Sequence, residues 1–483
     1  MKFIQSSSFW AVLITLIVFG VAVAFTMARR TQPGFGDYVK QPQLWEEVEE
    51  AHSDVERAAD VAKTWSADQV ANAVRSFVLD TKSSEDPRSD AVILRSLGNR
   101  THPALLQILR DPSLRSKLLA PTRENLLPEA PFNRVCQLLE KDPPQEVVAV
   151  LAPFLDEKSD EARKDAALVI GSVGSELIIA PVRKALTDAD DYVRSYALMG
   201  LKRASENNRL SERCRRELFG DIQGLLSEGK NADHAAGLLL DFDQTRAIAF
   251  FLSKAMFAPD SGSLHQILSA LNAQGVKVPR DRLLSLIDEL EATELTYPKT
   301  YQLGEALHLL GMHQVHDDRT LLQKYVAHDE DIIAEGAAAG MLASHGLDGF
   351  QERIWKKIDT SGFTSLSNPQ RHYAAVIAFD AEVNNGGLSQ YFFNSSGNEW
   401  RNALAGLEAM QSKERLTILR EALASFGGSG PAGNRDERIL QLSRLQSAND
   451  ALFDELDSRY YKSTEVIDVM AMHYVLQNVE AFR

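Results

Sequence analysis

The sequence has 483 residues, of which 44% are hydrophobic and 25% are charged, and its formal net charge is -15 at pH 7. This length is sufficient for two or three domains that each bury a core. The negative charge argues against a protein that wraps nucleic acid, because such proteins need clustered Lys and Arg. Neither cysteine, Cys136 or Cys214, lies in a CxxC or His/Cys cluster, so nothing supports a disulfide framework or a structural zinc site.

The N-terminal segment is apolar. Residues 3–28 contain no charged side chain, and residues 9–27 come close to the length that crosses the hydrocarbon core of a membrane. We therefore expect residues 1–30 to hold a retained single-pass transmembrane anchor. Arg29 and Arg30 follow it and favour a cytoplasmic body. The alternative is a signal peptide that is cleaved after Ala22-Val23-Ala24, which would leave an exported body.

Helical spacing of apolar residues continues through a juxtamembrane stalk at 31–85 and a repeat region at 86–350. The repeat is clearest within residues 145–205, where a shift of 31 places Ala166 on Ala197 and Ile170 on Leu201. Each copy predicts two amphipathic helices joined by a short acidic turn. A lone pair of this size cannot bury its apolar face, so the pairs are expected to stack into an α-solenoid.

The second helix of each copy opens with the pattern D-x-x-V/A-R-x-x-A, which resembles HEAT repeats. The resemblance implies that Asp160 and Asp191 cap that helix and that Arg163 and Arg194 bridge to neighbouring repeats. Such arrays bind other macromolecules and seldom catalyse. Residues 31–350 carry a charge of -15, which we interpret either as solvated helix faces or as a docking surface for a basic protein.

Residues 351–483 break the repeat rhythm. A helix capped by Asn368-Pro369 is predicted to run to about Val383, followed by a turn at residues 384–387 and a second turn at 394–397. The segment E-V-N-N-G-G-L-S-Q-Y-F-F-N, residues 382–394, resembles the hallmark of the small helical DNA-mimic-protein family. The L-D-x-R-Y-Y segment at 456–461 and the terminal residues 478–482 match in order and distance.

That resemblance implies a compact α-helical domain, and in the founding kind of member an acidic surface imitates the phosphates of DNA. A balance of -3 over residues 351–483 is too mild for such a surface. The candidate motif or partner-binding residues are Glu382, Asn385, Gly386, Gly387, Gln390, Tyr391, Phe392, Asn394, Asp457 and Arg459. One interpretation is that the polar members hydrogen-bond two tight turns. The other is a polar partner site lined by Tyr391, Phe392 and Trp400.

No motif nominates a catalytic residue, a cofactor or a metal site. The glycine-rich stretch 427–433 lacks the Lys-Ser/Thr of a phosphate-binding loop. His308, His313, His316, Asp317 and Asp318 form the most metal-like cluster, and we interpret it as an exposed loop.

The sequence thus predicts an all-α protein: a HEAT-like solenoid, a compact helical C-terminal domain and one transmembrane helix. We expect a membrane-anchored scaffold that binds a protein partner and is not an enzyme. One alternative is a regulator whose C-terminal domain sequesters a DNA-binding protein. A weaker one is a hydrolase or lyase in which Glu382 and His372 converge in a pocket.

Overall fold

The computed structural model describes residues 55–79, 87–120, 130–449 and 451–483, and this part of the chain contains helices and turns but no strand. The expected all-α class is confirmed for these residues. They form two compact units, one ending at Ala270 and the other running from Leu271 to Arg483. The predicted domain bounds, including the one between residues 350 and 351, stay predictions.

The first unit begins with a helical segment at residues 55–62. Its further helices are α1 (Ala67–Leu79), α2 (Pro87–Ser96), α3 (His102–Arg110), α4 (Arg115–Leu118), α5 (Pro131–Leu139), α6 (Val147–Leu151), α7 (Asp160–Val173), α8 (Ile179–Leu186), α9 (Asp191–Glu206), α10 (Glu212–Ser227), α11 (Ala232–Phe242), α12 (Gln244–Phe251) and the first part of α13 (Leu264–Ala273).

The second unit contains α14 (Arg280–Glu291), α15 (Lys299–Gly311), α16 (Asp318–Tyr325), α17 (Asp331–Ser344), α18 (Phe350–Ser361), α19 (Asn368–Phe393), α20 (Trp400–Ala409), α21 (Lys413–Ala424), α22 (Arg435–Ala448), α23 (Asp454–Tyr461), α24 (Ile467–Gln477) and α25 (Val479–Phe482).

The helix pairs of the first unit pack in chain order. Helices α7, α9 and α11 lie side by side, and α8 packs between the 3-10 helix Ala152–Asp156 and α10. Gly171 and Gly200 bring α7 and α9 into backbone contact, since a Cβ on either glycine would press on the other helix. The positions that coincide in the repeat, such as Ala166 with Ala197, are fully buried. This packing is that of stacked helix pairs.

The caps of the repeat helices lie one residue earlier than the resemblance implied. Ser159, not Asp160, accepts the hydrogen bond from Ala162 N, and Asp190, not Asp191, accepts from Val193 N. The reason is geometric: the capping residue must still be extended, while the acid that follows already has helical angles. Asp160 and Asp191 lie instead in the first helical turn, where a negative charge favours the helix dipole.

Arg163 and Arg194 do bridge neighbouring repeats, as implied. Arg163 donates two hydrogen bonds to the Asp188 carboxylate of the next repeat, at 2.8 and 3.1 Å. Arg194 donates to Asn231 Oδ1 at 2.9 Å. The guanidinium of Arg163 holds the pKa of Asp188 below its usual value, although burial opposes that shift. These bonds tie successive pairs together at the turn between their helices.

The structure contradicts the predicted single-pass membrane localisation. No helix within the described ranges is both long enough and apolar enough to cross a membrane. The segment on which that prediction rested, residues 9–27, lies outside the described residues, as do the boundary of the anchor at residue 30 and the first part of the stalk.

Candidate functional site

The motif at residues 382–394 lies in α19, where the helix is broken into two segments. Gly386 and Gly387 have non-helical angles, and Gly387 has a φ of 75°. Only glycine adopts that angle without strain. The first segment therefore ends beside Asn385, and a short second segment runs from Leu388 to Phe393 in a new direction. The predicted turn is a kink within one long helix.

Asp457 caps the second segment from a different helix. Its Oδ1 accepts a hydrogen bond from Leu388 N at 2.9 Å, and its carboxylate lies where a side chain at position 387 would stand. Burial raises the pKa of Asp457, and the bond from Leu388 N only partly offsets this. The two glycines and the aspartate, separated by about seventy residues, thus form one structural element, the Asp457 cap.

Glu382 joins the two sides of the kink. Its Oε2 accepts hydrogen bonds from Gln390 Nε2 and Asn394 Nδ2, each at 2.8 Å, and its Oε1 accepts from Ser396 Oγ at 2.9 Å. A carboxylate with three donors is well satisfied in a partly buried setting. Glu382 therefore bonds two other candidate side chains, Gln390 and Asn394, and links the two sides of the kink.

The C-terminal end of the second segment is held by two arginines that the sequence analysis did not single out. Arg438 is fully buried and donates to Phe392 O at 2.7 Å, Asn394 O at 2.8 Å and Ala432 O at 2.9 Å. Burial lowers the pKa of Arg438 to about 10. Arg435 donates to Phe393 O at 3.0 Å. These cations flank two acids at the start of α22, and nothing in their spacing distinguishes them from a solvated face.

The short segment therefore carries a carboxylate at its N-terminus and two guanidinium groups at its C-terminus. This is the arrangement that the helix dipole favours. The two guanidinium groups also donate to the carbonyls at the end of the segment, which have no partner within the helix.

Tyr391 and Phe392 belong to the hydrophobic core and do not line a surface. Both are fully buried, and Tyr391 packs edge-on against Phe379 with ring centroids 4.9 Å apart. The Tyr391 hydroxyl has no hydrogen-bond partner among the described residues, and burial raises its pKa well above the usual value. Trp400 is half-buried and donates its Nε1 proton to Pro431 O at 3.1 Å. These rings therefore do not form the predicted lining of a polar site.

Asn385 and Arg459 are the exposed members of the candidate set. Arg459 pairs with Glu421, with both carboxylate oxygens within 3.0 Å of the guanidinium. Asn385 stands at the outer side of the kink, next to Asn384, whose Nδ2 donates to Asp380 Oδ2 at 2.8 Å. Tyr461, more than half exposed, donates its hydroxyl to Val383 O at 2.8 Å. The side chains exposed in this part of the fold therefore include Asn385, Tyr461 and Arg459, whereas Gln390, Tyr391 and Phe392 of the motif are buried.

A second polar cluster joins α19, α21 and α23. Asp380 forms an ion pair with Arg415 and accepts a hydrogen bond from Tyr460 Oη at 2.5 Å. Glu465 caps α21 from outside it, accepting from Lys413 N at 2.6 Å and Ser412 Oγ at 2.6 Å. Burial opposes ionisation of Glu465, but its four hydrogen bonds hold its pKa below the usual value.

Among the described residues, the structure does not bring Glu382 and His372 together in a pocket. His372 Nδ1 lies 3.0 Å from Tyr474 Oη, whereas Glu382 belongs to the kink cluster, so the two do not converge on one site. Within the described ranges, no group of three His, Cys, Asp or Glu side chains is placed to hold a metal ion. Of the histidine cluster near residue 313, His313 bonds Val278 O and Asp318 pairs with Arg280.

One comparison with known proteins covers this part of the chain. Residues 364–478 match the model of the DMP19-like protein family. The resemblance seen in the motif is thereby confirmed over the segment that holds the kink, the Asp457 cap and the Glu382 cluster.

Solved structures give weaker likenesses. A chain of the Kap95:Nup1 complex shows 11% identity, with 94% of this chain and 70% of that chain covered and a TM-score of 0.41. An engineered protein shows 14% identity, with 83% of this chain and 98% of that chain covered and a TM-score of 0.25. Both TM-scores are too low to carry an argument. Comparison with curated proteins gives no match.

Proposed function

We propose that this protein is a protein-binding scaffold without catalytic activity, and that an acidic surface of residues 271–350 receives a basic partner. Residues 55–270 hold 31 acidic and 28 basic residues, whereas residues 271–350 hold 13 acidic and 6 basic ones. The excess of acid in the repeat region therefore lies next to the family-matched segment.

The pairing of these charges supports that surface. In the first unit, exposed carboxylates commonly have a cationic partner, such as Asp156 with Lys184 and Glu176 with Arg213. In residues 271–350, a set of exposed carboxylates has no ion-pair partner among the described residues: Asp281, Asp288, Glu294, Asp317, Asp329, Glu330 and Asp331. Unpaired charge of one sign attracts a partner of the opposite sign and raises its association rate.

A neutralised variant tests this proposal. The full chain carrying D288N, E294Q, D317N and D329N is compared with wild type in affinity capture from native lysate over a range of salt concentrations. We expect the variant to lose the partner, and wild-type capture to weaken as salt rises, because exposed charges are screened. A matched control neutralises four exposed carboxylates of the first unit, in D160N, E206Q, E212Q and D233N.

Equal capture by both variants, or capture that salt does not change, would contradict the acidic docking surface. A truncation at residue 350 is a poor substitute for these variants. Leu342, Leu347 and Phe350 share one buried cluster with the family-matched helices, so removal of those helices exposes core.

The alternative of DNA mimicry finds less support. Four of the carboxylates in residues 351–483 are engaged inside the fold: Asp380, Glu382, Asp457 and Glu465. Three more are paired with arginines: Glu408, Glu421 and Glu480. A phosphate-like surface needs its charges free and evenly spaced. Capture of a DNA-binding protein that double-stranded DNA displaces would favour this alternative.

A further inference from the structure

A groove in the first unit has an apolar floor that is open to solvent. It lies between the end of α3 and the segment formed by α6 and the 3-10 helix after it, and its volume is about 530 Å³. Its apolar lining residues are Leu109, Pro112, Ala149, Val150 and Pro153. An apolar side chain of another molecule that enters this groove removes apolar surface from water on both sides of the contact.

Two arginines line the same groove, and only one of them is held within the fold. Arg115 lies on the ring of Phe154, with its guanidinium carbon 3.7 Å from the ring centroid, and donates to Glu157 Oε1 at 2.9 Å. Arg110 is exposed and has no ion-pair partner within the described part of the chain. Lys117, which follows shortly after, is exposed and unpaired in the same sense. The groove therefore presents cations that are available to a carboxylate of a partner.

Two carboxylates also belong to the lining. Asp111 is engaged locally, since its Oδ1 accepts hydrogen bonds from Ser113 Oγ at 2.6 Å and Ser113 N at 2.9 Å. Those bonds and the charge of Arg75 lower the pKa of Asp111. Glu146 precedes α6 and is exposed. The surrounding surface is nevertheless basic, because residues 87–120 hold 6 basic and 2 acidic residues. A basic surface favours an acidic partner.

The acidic region 271–350 carries a segment with the complementary features. Tyr297 is 72% exposed, and the exposed carboxylate of Glu294 lies three residues before it. The ring of Tyr297 meets that of Tyr301 edge-on, with centroids 5.7 Å apart. Main-chain bonds hold the turn, from Thr296 N to Glu294 O at 3.1 Å and from Lys299 N to Thr296 O at 2.7 Å. The segment therefore presents an aromatic ring and a carboxylate together in an ordered conformation, which lowers the entropy cost of binding.

We propose that the basic partner of the acidic surface is a second copy of this chain, whose groove receives Tyr297 and whose Arg110 pairs with Glu294. The inference rests on the proposed function, because it names the partner of that surface. The charges are complementary: 6 basic against 2 acidic residues in 87–120, and 13 acidic against 6 basic residues in 271–350. Tyrosine and arginine are also the residue types on which binding energy concentrates in protein interfaces.

The proposed contact joins two different surfaces of the same protein. Each copy has one groove and one Tyr297 segment, so it binds one neighbour through the groove and another through the segment. Such a head-to-tail contact is not limited to a pair, unlike a contact in which two copies use the same surface. Self-association is therefore expected to go beyond a dimer.

Sedimentation velocity of the full chain tests this contact. The variant Y297A with E294Q removes the inserted segment and keeps the groove, whereas R110E with K117E reverses the cations at the groove and keeps the segment. We expect wild type to form species larger than a dimer, in a share that rises with protein concentration and falls with salt. Each variant alone should stay a monomer. An equal mixture of the two should give a dimer and nothing larger, because only one groove and one segment remain intact.

Two controls are matched to these variants, and all the substituted side chains are exposed. Y192A with E212Q removes an aromatic ring of the first unit that is 70% exposed, and R216E with K254E reverses two cations of that unit outside the groove. Both controls should associate as wild type does. Loss of association in either control, or a mixture of the two test variants that stays monomeric, would overturn the proposal.

The same measurement separates this inference from the proposed function. If wild type stays a monomer at every concentration, a second copy is not the partner. The proposed function still stands if the variant with D288N, E294Q, D317N and D329N then loses a different protein that wild type captures. If that variant captures the same proteins as wild type, the acidic docking surface fails as well.

Discussion

At the scale of single residues, the kink in α19 depends on a carboxylate that is distant in sequence. Asp457 supplies the acceptor for Leu388 N that a helix normally takes from its own capping residue. The kink within residues 382–394 therefore depends on the later segment 456–461.

We expect D457A to lower the free energy of unfolding by about 1 kcal/mol, because the cap is lost. D457N keeps an acceptor and avoids ionisation in a partly buried place. Since the folded pKa of Asp457 is raised, wild type loses stability as pH rises through that pKa, and D457N does not. Urea unfolding at pH 4 and pH 7 should therefore show that the free energy of unfolding of D457N, relative to that of wild type, is higher at pH 7 than at pH 4. If the difference in free energy of unfolding between D457N and wild type is the same at both pH values, the raised pKa of Asp457 is contradicted.

Arg438 is the second residue on which the kink depends. R438M should destabilise the fold by about 3 kcal/mol, since one buried carbonyl and two partly buried carbonyls lose their donor. The stability of R438K should lie between those of wild type and R438M, because an ammonium group donates hydrogen bonds but lacks the planar fork of a guanidinium group. R444M, at an exposed position of the same helix, is the control and should change little. Similar losses for R438M and R444M in urea unfolding would show that Arg438 is dispensable.

At the scale of helices, small residues set the distance between repeats. A Cβ at Gly336 of α17 would overlap the backbone of Gly304 in α15, and one at Gly311 would overlap Gly340. The Ala- and Gly-rich stretch 331–344 therefore packs with its backbone close to that of α15.

We expect G336A to destabilise the protein by about 1–3 kcal/mol, because the two backbones must separate. G220A is the matched control: Gly220 lies inside α10 and a Cβ there meets nothing within 4 Å. Alanine is the better helix former, so G220A should stabilise by up to about 1 kcal/mol. Thermal unfolding should therefore show a lower Tm for G336A and a higher Tm for G220A than for wild type. Equal shifts would mean that the close approach of α15 and α17 is unimportant.

At the scale of the whole molecule, the last repeat-like pair and the family-matched helices form one unit. Phe350, Tyr373 and Phe482 meet in edge-to-face contacts with centroids 5.2 to 5.8 Å apart. Gln370 Nε2 donates to Ala481 O at 2.7 Å. Both Phe350 and Phe482 lie outside the matched residues 364–478, so the matched segment alone is not the complete folding unit.

Deletion of residues 351–483 should therefore loosen the part that remains of the second unit. We expect amide exchange in α15–α17 to accelerate at least tenfold, while exchange in α7–α11 of the first unit is unchanged. Hydrogen-exchange mass spectrometry of the full chain and of residues 1–350 checks this. Unaltered protection of α17 would show that the two parts are energetically separate.

The sequence by itself determined the helical class, the stacking of pairs around residues 145–205 and the family resemblance of the C-terminal segment. These features are local or periodic: apolar spacing, turn glycines and a continuous motif are present in the chain before it folds. The cap of α1 is of this kind, since Ser66 and Gln69 bond each other three residues apart.

Only the tertiary structure decided what the motif residues do. Whether Glu382 faces a partner or Gln390 and Asn394 depends on a kink angle, and that angle is set by Asp457 and Arg438 from distant helices. Likewise, the helices are capped by Ser159 and Asp190 and not by Asp160 and Asp191, because the backbone is still extended at the earlier residue of each pair. A buried cation that bonds only carbonyls, such as Arg438, has no sequence signal, because its partners are main-chain atoms that every residue shares.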